Sequence, residues 1–256
     1  MDSLKTMQER ALDTTKPGTV NPKELLQVEL LSSFEKYTKC MFKAQYHRSF
    51  IVAEHHKKMF EVLQDVVDGK CKRLIINIAP RYGKTELVIK SFISWCFALN
   101  PKCRFLHLSY SDILVNDNSE TIRNIMQEEL YKTLFPNSAL ASEKGSAKRW
   151  KTKAGGELYA VSTQGQVTGF GAGAVDEVPD IDKMDGGNDI FTFDDHTNEM
   201  LDMIGATTNI FQGAIVIDDP IKPEDAESDI VRERINMRFE NTIRNRTNSR
   251  NTPIII

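Results

Sequence analysis

Lys72-Arg73-Leu74-Ile75-Ile76-Asn77-Ile78-Ala79-Pro80-Arg81-Tyr82-Gly83-Lys84-Thr85-Glu86 reads as an apolar run, a short turn and the opening of a helix. The run at 74–78 predicts a strand that delivers the chain to the edge of a sheet. A turn followed at once by a helix N-terminus is a place where backbone N–H groups converge and the helix dipole favours anions, so phosphates suit it. Lys84 stands where a side chain reaches β- and γ-phosphates, and the Thr85 hydroxyl where it binds Mg²⁺. Pro80, Arg81, Tyr82, Gly83 and Glu86 complete the candidate phosphate-binding loop. The pattern G-x-x-x-x-G-K-[ST] is incomplete, because Ile78 occupies the first glycine position. Gly83-Lys84-Thr85 alone also suits a plain helix start after a strand, so a second segment has to decide.

That segment is Ala214-Ile215-Val216-Ile217-Asp218-Asp219-Pro220. Four apolar residues followed by two carboxylates predict a buried parallel strand that ends at the C-terminal edge of the sheet. Ligands of open α/β sheets sit outside that edge. The strand therefore brings Asp218 and Asp219 toward Gly83-Lys84-Thr85. Asp218 is the candidate Mg²⁺ ligand, and Asp219 the candidate that orients or deprotonates an attacking water. A strand end with an Asp-Pro turn is common by itself; both motifs in this order are much less so. A scaffold that only binds nucleotide has no need of the second carboxylate.

Strands alternate with helical stretches along the rest of the chain. Residues 104–108, 150–152, 158–162 and 253–256 read as strands, the second and third flanking a Gly155-Gly156 turn. Helices are expected at 22–45, 53–67, from the loop to 99, at 112–134 and at 228–243, the last capped by Ser228. The expected fold class is α/β, a P-loop NTPase with a mostly parallel, doubly wound sheet. The expected organisation is a flexible arm at 1–22, a helical lid region at 23–70 and a P-loop core at 71–256.

The 256 residues suffice for one large domain with a sizeable core, and 40% hydrophobic against 27% charged residues excludes neither a soluble nor a globular chain. No apolar stretch approaches the roughly 18 residues that cross a bilayer, and the first residues lack the apolar core of a signal peptide. Cys40, Cys71, Cys96 and Cys103 form no C-x-x-C pair and read as free thiols in a reducing compartment. The net charge of −3 is unevenly spread. Residues 174–212 hold ten acids against Lys183, a net −9, which leaves +6 for the remainder. This stretch reads as a solvated insertion. Its spaced aspartates from Asp180 do not match a calcium loop, whose twelfth position would be Phe191.

The motifs together resemble the large subunit of the terminases of tailed phages, the DNA-packaging motors. Pro80-Arg81-Tyr82-Gly83-Lys84-Thr85-Glu86 is similar to that family's loop. Leu106-His107-Leu108-Ser109-Tyr110-Ser111, Gly155-Gly156-Glu157-Leu158-Tyr159-Ala160, Gly165-Gln166-Val167-Thr168-Gly169, Ile217-Asp218-Asp219-Pro220-Ile221-Lys222 with Glu224-Asp225-Ala226-Glu227-Ser228, Arg244-Asn245-Arg246 and Thr252-Pro253-Ile254-Ile255-Ile256 continue the likeness from about residue 50 to 256. The resemblance implies a helicase-like ASCE fold and an ATPase that uses ATP and Mg²⁺ to drive double-stranded DNA into a capsid. It implies a portal protein and a small terminase subunit as partners, a homo-oligomeric ring on the portal with a monomer in isolation as the alternative, no membrane association, and the host cytoplasm as location. It also implies that Arg81 reaches the γ-phosphate, a task suited to a guanidinium fork, and that His55 or His56 neighbours the adenine. A P-loop helicase or nucleic-acid remodelling ATPase shares both main motifs and is the alternative.

Two departures stand out. Many members end the acidic strand in Asp-Glu, whereas here it is Asp-Asp, so Glu224 or Asp225 are substitutes to consider. Phe170 stands near the position where some members carry an arginine that acts across subunits, leaving Arg149, Arg244 and Arg246 as candidates. The family usually continues into a metal-dependent nuclease domain. With Ile254-Ile255-Ile256 inside an expected core strand, the chain reads as a fragment or incomplete product that hydrolyses ATP slowly and does not cut DNA.

Overall fold

The computed structural model describes residues 21–142, 145–167, 169–173 and 211–256. Among them, strands β1 (Arg73–Leu74), β2 (Arg104–Ser109), β3 (Arg149–Lys151), β4 (Glu157–Ser162), β5 (Ile215–Asp218) and β6 (Ile254–Ile255) form one sheet. Its order is β1-β6-β5-β2-β4-β3. Only β3 and β4 pair antiparallel; every other pairing is parallel. The fold is therefore α/β with a mixed, mostly parallel sheet, as the alternation of strands and helices predicts.

Side chains alternate across the sheet, as strand geometry requires. Phe105, Leu158, Ala160, Val216 and Ile255 face one side, where they join the larger core. Leu106, Leu108, Val161, Ile215, Ile217 and Ile254 face the other. The first side is covered by α1 (Pro22–Ser32), α2 (Phe34–Tyr46), α3 (Glu54–Val67), α4 (Phe92–Leu99), α5 (Asp112–Gln127) and α6 (Glu129–Leu134). The second is covered by Val167, Phe170, Ala172 and the π-helical segment Phe239–Ile243 that continues α7 (Asp229–Arg238), through Phe239 and Ile243. The winding follows from handedness. The steps β1→β2 and β2→β4 move toward the β3 edge over the first face. The step β5→β6 moves back, and its helical connection lies on the second face. Reversing direction and face together keeps each parallel crossover the same hand.

The helical region at 23–70 is not a separable layer. Leu31, Phe34, Tyr37 and Leu63 are buried in the same core as α4. Phe34 meets Trp95 at 5.1 Å, Phe60 at 5.4 Å and Phe92 at 5.8 Å between ring centroids. The polar tips of this core are satisfied, as buried Tyr and Trp require: Trp95 Nε1 donates to the Leu30 carbonyl (3.0 Å) and the Tyr37 hydroxyl to Ser94 Oγ (2.9 Å).

Several elements differ from their expected form. The helix expected at 22–45 is two helices, because Ser33 is extended (φ −142°, ψ 110°) and its Oγ accepts from Lys36 N as the N-cap of α2. The helix expected at 112–134 breaks at Glu128, where ψ is 139°. The helix after the loop opens with seven π-helical residues, Thr85–Ser91. The strand expected at 74–78 has its ladder at Arg73–Leu74, although Ile76 N still donates to the Ile256 carbonyl at 2.8 Å. It lies at the sheet edge, so Ile75 is 75% exposed while Leu74, Ile76 and Ile78 pack on the larger core.

Residues 1–20, in the expected arm, and 174–210, in the expected insertion, lie outside the described residues. Phe211 and Gln212 belong to the domain instead: the Phe211 ring sits 5.9 Å from both Phe92 and Phe105, and the Gln212 carbonyl accepts from Arg104 N at 2.9 Å. Among the described residues no helix is long and apolar enough to cross a membrane. All four cysteines are free, as their spacing implied. Phe211→Ala should lower stability by about 3 kcal/mol, the usual cost of emptying a buried aromatic position. Denaturant unfolding checks this, with a lower midpoint at unchanged slope; an unchanged midpoint would place Phe211 outside the core.

Candidate phosphate-loop site

The site lies at the C-terminal edge of the parallel strands, where β1 and β5 end on either side of β6. From β1 the chain passes through exposed Pro80, Arg81 and Tyr82 to half-buried Gly83, Lys84, Thr85 and Glu86. Arg81 (φ 69°) and Gly83 (φ 81°) are left-handed. Alternating handedness is the backbone condition under which successive N–H groups form an anion-binding concavity. Glycine takes such a φ freely; for Arg81 it is strain, of about 1–3 kcal/mol, of a kind that clusters at ligand clamps. Leu87 N donates to the Gly83 carbonyl at 3.0 Å, so the helix begins here and its first-turn N–H groups have no partner within the helix.

Lys84 joins this loop to the acidic strand. Its Nζ lies 3.2 Å from Asp218 Oδ1 and bonds Asp219 Oδ1 directly. The Thr85 hydroxyl donates to Asp218 Oδ2 at 2.8 Å. Burial opposes the Lys84 charge, but the two carboxylates outweigh it and raise its proton affinity overall. The environments of the two aspartates differ. The Asp218 side chain is 9% exposed and held by both Thr85 and Lys84, whereas that of Asp219 is 56% exposed. Asp219 adopts φ 47°, a conformation an aspartate tolerates. Its carbonyl accepts from Tyr110 N at 3.0 Å, which fixes it against the end of β2.

Sequence reasoning placed Pro80, Arg81, Tyr82, Gly83, Lys84, Thr85, Glu86, Asp218 and Asp219 in one neighbourhood. Lys84, Thr85, Asp218 and Asp219 are in direct contact. Glu86 turns away: it accepts from the Tyr46 hydroxyl (3.4 Å) and from Lys90 Nζ (3.1 Å), and its charge beside the half-buried phenol helps burial push the Tyr46 pKa up to about 12. Glu224, the substitute for a longer second acid, ion-pairs with Lys222. Arg149 is a counter-ion of buried Glu157 at 2.6 Å, with Arg104 at 3.4 Å on the same carboxylate. Both guanidinium groups lie over the Phe170 ring, so Phe170 has a packing role. Arg244 pairs with Glu240 at 2.9 Å. The Arg246 carbonyl accepts from Ala172 N, next to Gly173, which donates to Arg104 at the N-terminal start of β2. Arg246 therefore sits toward the sheet edge away from the loop. A cavity of about 440 Å³ between Val67, Lys72, Phe211, Gly213 and Asn251 lies at that same far edge.

His56, which the resemblance offers with His55 as a neighbour of the adenine, contacts the loop backbone. Its Nε2 lies 3.1 Å from the Tyr82 carbonyl, and its Nδ1 accepts from Ala53 N at 3.0 Å. Burial lowers its proton affinity. His55 meets the Tyr82 ring edge-to-face, 5.3 Å between ring centroids. A second imidazole, His107, is fully buried one strand from Asp218; its Nδ1 contacts the Val216 carbonyl at 3.1 Å. Burial pushes its pKa below the ordinary 6.5, against the opposing pull of the Asp218 charge.

Among the described residues, no group of three or more His, Cys, Asp or Glu side chains is arranged to hold a metal. No family model matches the chain, and no curated protein matches it.

The two imidazoles set a pH dependence of stability. Both bind a proton less well in the folded than in the unfolded chain, so unfolding takes up protons below pH 6.5. Their contribution is complete above that pH and is lost as pH falls. The denaturant midpoint at pH 5.5 should lie below that at pH 7.5, and the difference should shrink in His107→Gln. An equal difference in that variant would remove His107 from the explanation.

Proposed function

We propose that the chain is a P-loop ATPase of the helicase-like ASCE kind that powers a DNA-packaging motor. One observation carries the ATPase reading: Lys84 and Thr85 at a helix N-terminus contact the two carboxylates that end a buried parallel strand. The strand order supports it, since β6 lies between the loop strand and the acidic strand and so spaces the loop from the carboxylates across the ligand-binding edge.

The roles follow from chemistry and exposure. Loop N–H groups and the helix dipole bind phosphate oxygens. Lys84 is a point charge for the β- and γ-phosphates, and its present partners hold it beside them. Arg81, exposed at the loop's strained position, offers a fork to the γ-phosphate. A hydroxyl and a buried carboxylate oxygen 2.8 Å apart are a hard-oxygen pair that fits Mg²⁺, which takes few protein ligands and completes its shell with water and phosphates. Thr85 and Asp218 would hold that ion, which when bound neutralises charge on the phosphates. Asp219, more exposed, is free to face a water and accept its proton once Lys84 turns to phosphate.

The wider reading rests on the resemblance to large terminase subunits: double-stranded DNA as the translocated polymer, a portal protein and a small terminase subunit as partners, a ring on the portal, and the host cytoplasm as the place of action. The measurement that tests the chemistry is Mg-ATP binding and hydrolysis by two variants. Lys84→Ala should lose tight ATP binding. Asp219→Asn should bind Mg-ATP within about threefold of the parent yet lose about 100-fold in turnover, the lower range for a general base. Normal turnover in Asp219→Asn would move the base elsewhere. Stimulation of hydrolysis by duplex DNA without strand separation supports the packaging reading; unwinding would favour a helicase.

A further inference from the structure

We propose that His56 is a positioning residue of the phosphate loop: as the neutral Nε2–H tautomer it ties the N-terminus of α3 to the Tyr82 carbonyl and holds Gly83 and Lys84 in place. This rests on the loop being the nucleotide site.

The argument begins with hydrogen-bond accounting. The N-cap of α3 is Ala53, whose side chain has no acceptor for the helix's orphan N–H groups. His56 at N3 reaches back instead, with Nδ1 accepting from Ala53 N at 3.0 Å, the half of a capping box that Glu or Gln usually supplies. An Nδ1 that accepts carries no proton, so the neutral ring has its proton on Nε2. That nitrogen lies 3.1 Å from the Tyr82 carbonyl, which can only accept. The Ala53 N–H and the Tyr82 carbonyl together select the Nε2–H tautomer and the ring orientation, and the Ile51 backbone also lies at the ring.

The ring also fixes the next residue. A Cβ on Gly83 would lie 2.9 Å from His56 Nε2, so the imidazole packs directly on the Gly83 backbone. Gly83 is held at φ 81° beneath it. The ring is itself wedged by Phe50 at 5.1 Å and His55 at 3.9 Å. His55 is on α3 and in turn contacts Tyr82, so α3 grips the loop at a ring and at a carbonyl. Lys84, the next residue after Gly83, inherits its direction from this clamp. The resemblance offers His55 or His56 as a neighbour of the adenine; in the structure both nitrogens of the His56 ring face backbone partners.

The test compares His56→Gln with His56→Leu. Glutamine at N3 can accept from Ala53 N and donate to the Tyr82 carbonyl; leucine can do neither. Dissociation constants for a fluorescent Mg-ATP analogue and melting temperatures are measured for both, with Lys84→Ala alongside. The leucine variant should bind about tenfold more weakly, the upper range for one net hydrogen bond, while the glutamine variant stays within about threefold. Nitrogen-15 shifts of the parent imidazole should show the Nε2–H tautomer, a reading that needs no variant to fold. Leucine binding as tightly as the parent while Lys84→Ala does not bind would overturn the role of His56 and leave the nucleotide site intact. Equal weakening by glutamine and leucine, or an Nδ1–H tautomer, would also overturn it. Unchanged binding in Lys84→Ala as well would remove the nucleotide reading itself.

Discussion

Two carboxylates at the end of a buried strand need a cation, and Lys84 is the group that meets the need. The apolar residues 214–217 have to be buried between helices and sheet neighbours, and their burial carries Asp218 and Asp219 to the C-terminal edge. Adjacent like charges in a partly dry site repel unless a positive charge lies between them and their neighbours. Lys84 bonds both, and Thr85 donates to the more buried one. The loop, the first turn of the following helix and the acidic strand are therefore one electrostatic unit.

Much of this was legible in the sequence because it depends on short-range rules. Four consecutive aliphatic residues ending in Asp218-Asp219 specify a buried strand with its charges at one end. Ser228, read as an N-cap, does cap α7, its Oγ accepting from Val231 N. Where the reading failed, a long-range contact decided the outcome. Ser33 breaks an apolar periodicity that looked continuous, so that Phe34 can enter the aromatic cluster with Phe60 and Trp95. Phe211 lies at the end of a run of acids and looked like part of a solvated stretch; only its packing against Phe92 and Phe105 shows otherwise. The edge position of β1, and with it the exposure of Ile75, depends on sheet order, which no local pattern encodes.

The site shows the same division. Lys84, Thr85, Asp218 and Asp219 are singled out by motif, and the structure brings their side chains into direct contact. His56 is separated from Tyr82 by 26 positions, and its signal is a missing cap: an alanine where a helix start favours Ser, Thr or Asp, with a side chain three residues on that can accept. The candidate arginines illustrate the converse. Arg149 reads as an available cation in sequence, yet a buried Glu157 and the faces of Tyr159 and Phe170 occupy it.

The most direct measurement is a crystal structure with Mg²⁺ and a non-hydrolysable ATP analogue. The triphosphate should lie on the 80–86 loop, with Lys84 Nζ moved from Asp219 to the β- and γ-oxygens and the ion between Thr85 and Asp218. A nucleotide bound elsewhere, or Lys84 still joined to both carboxylates at saturating analogue, would contradict the assignment of this edge as an ATP site.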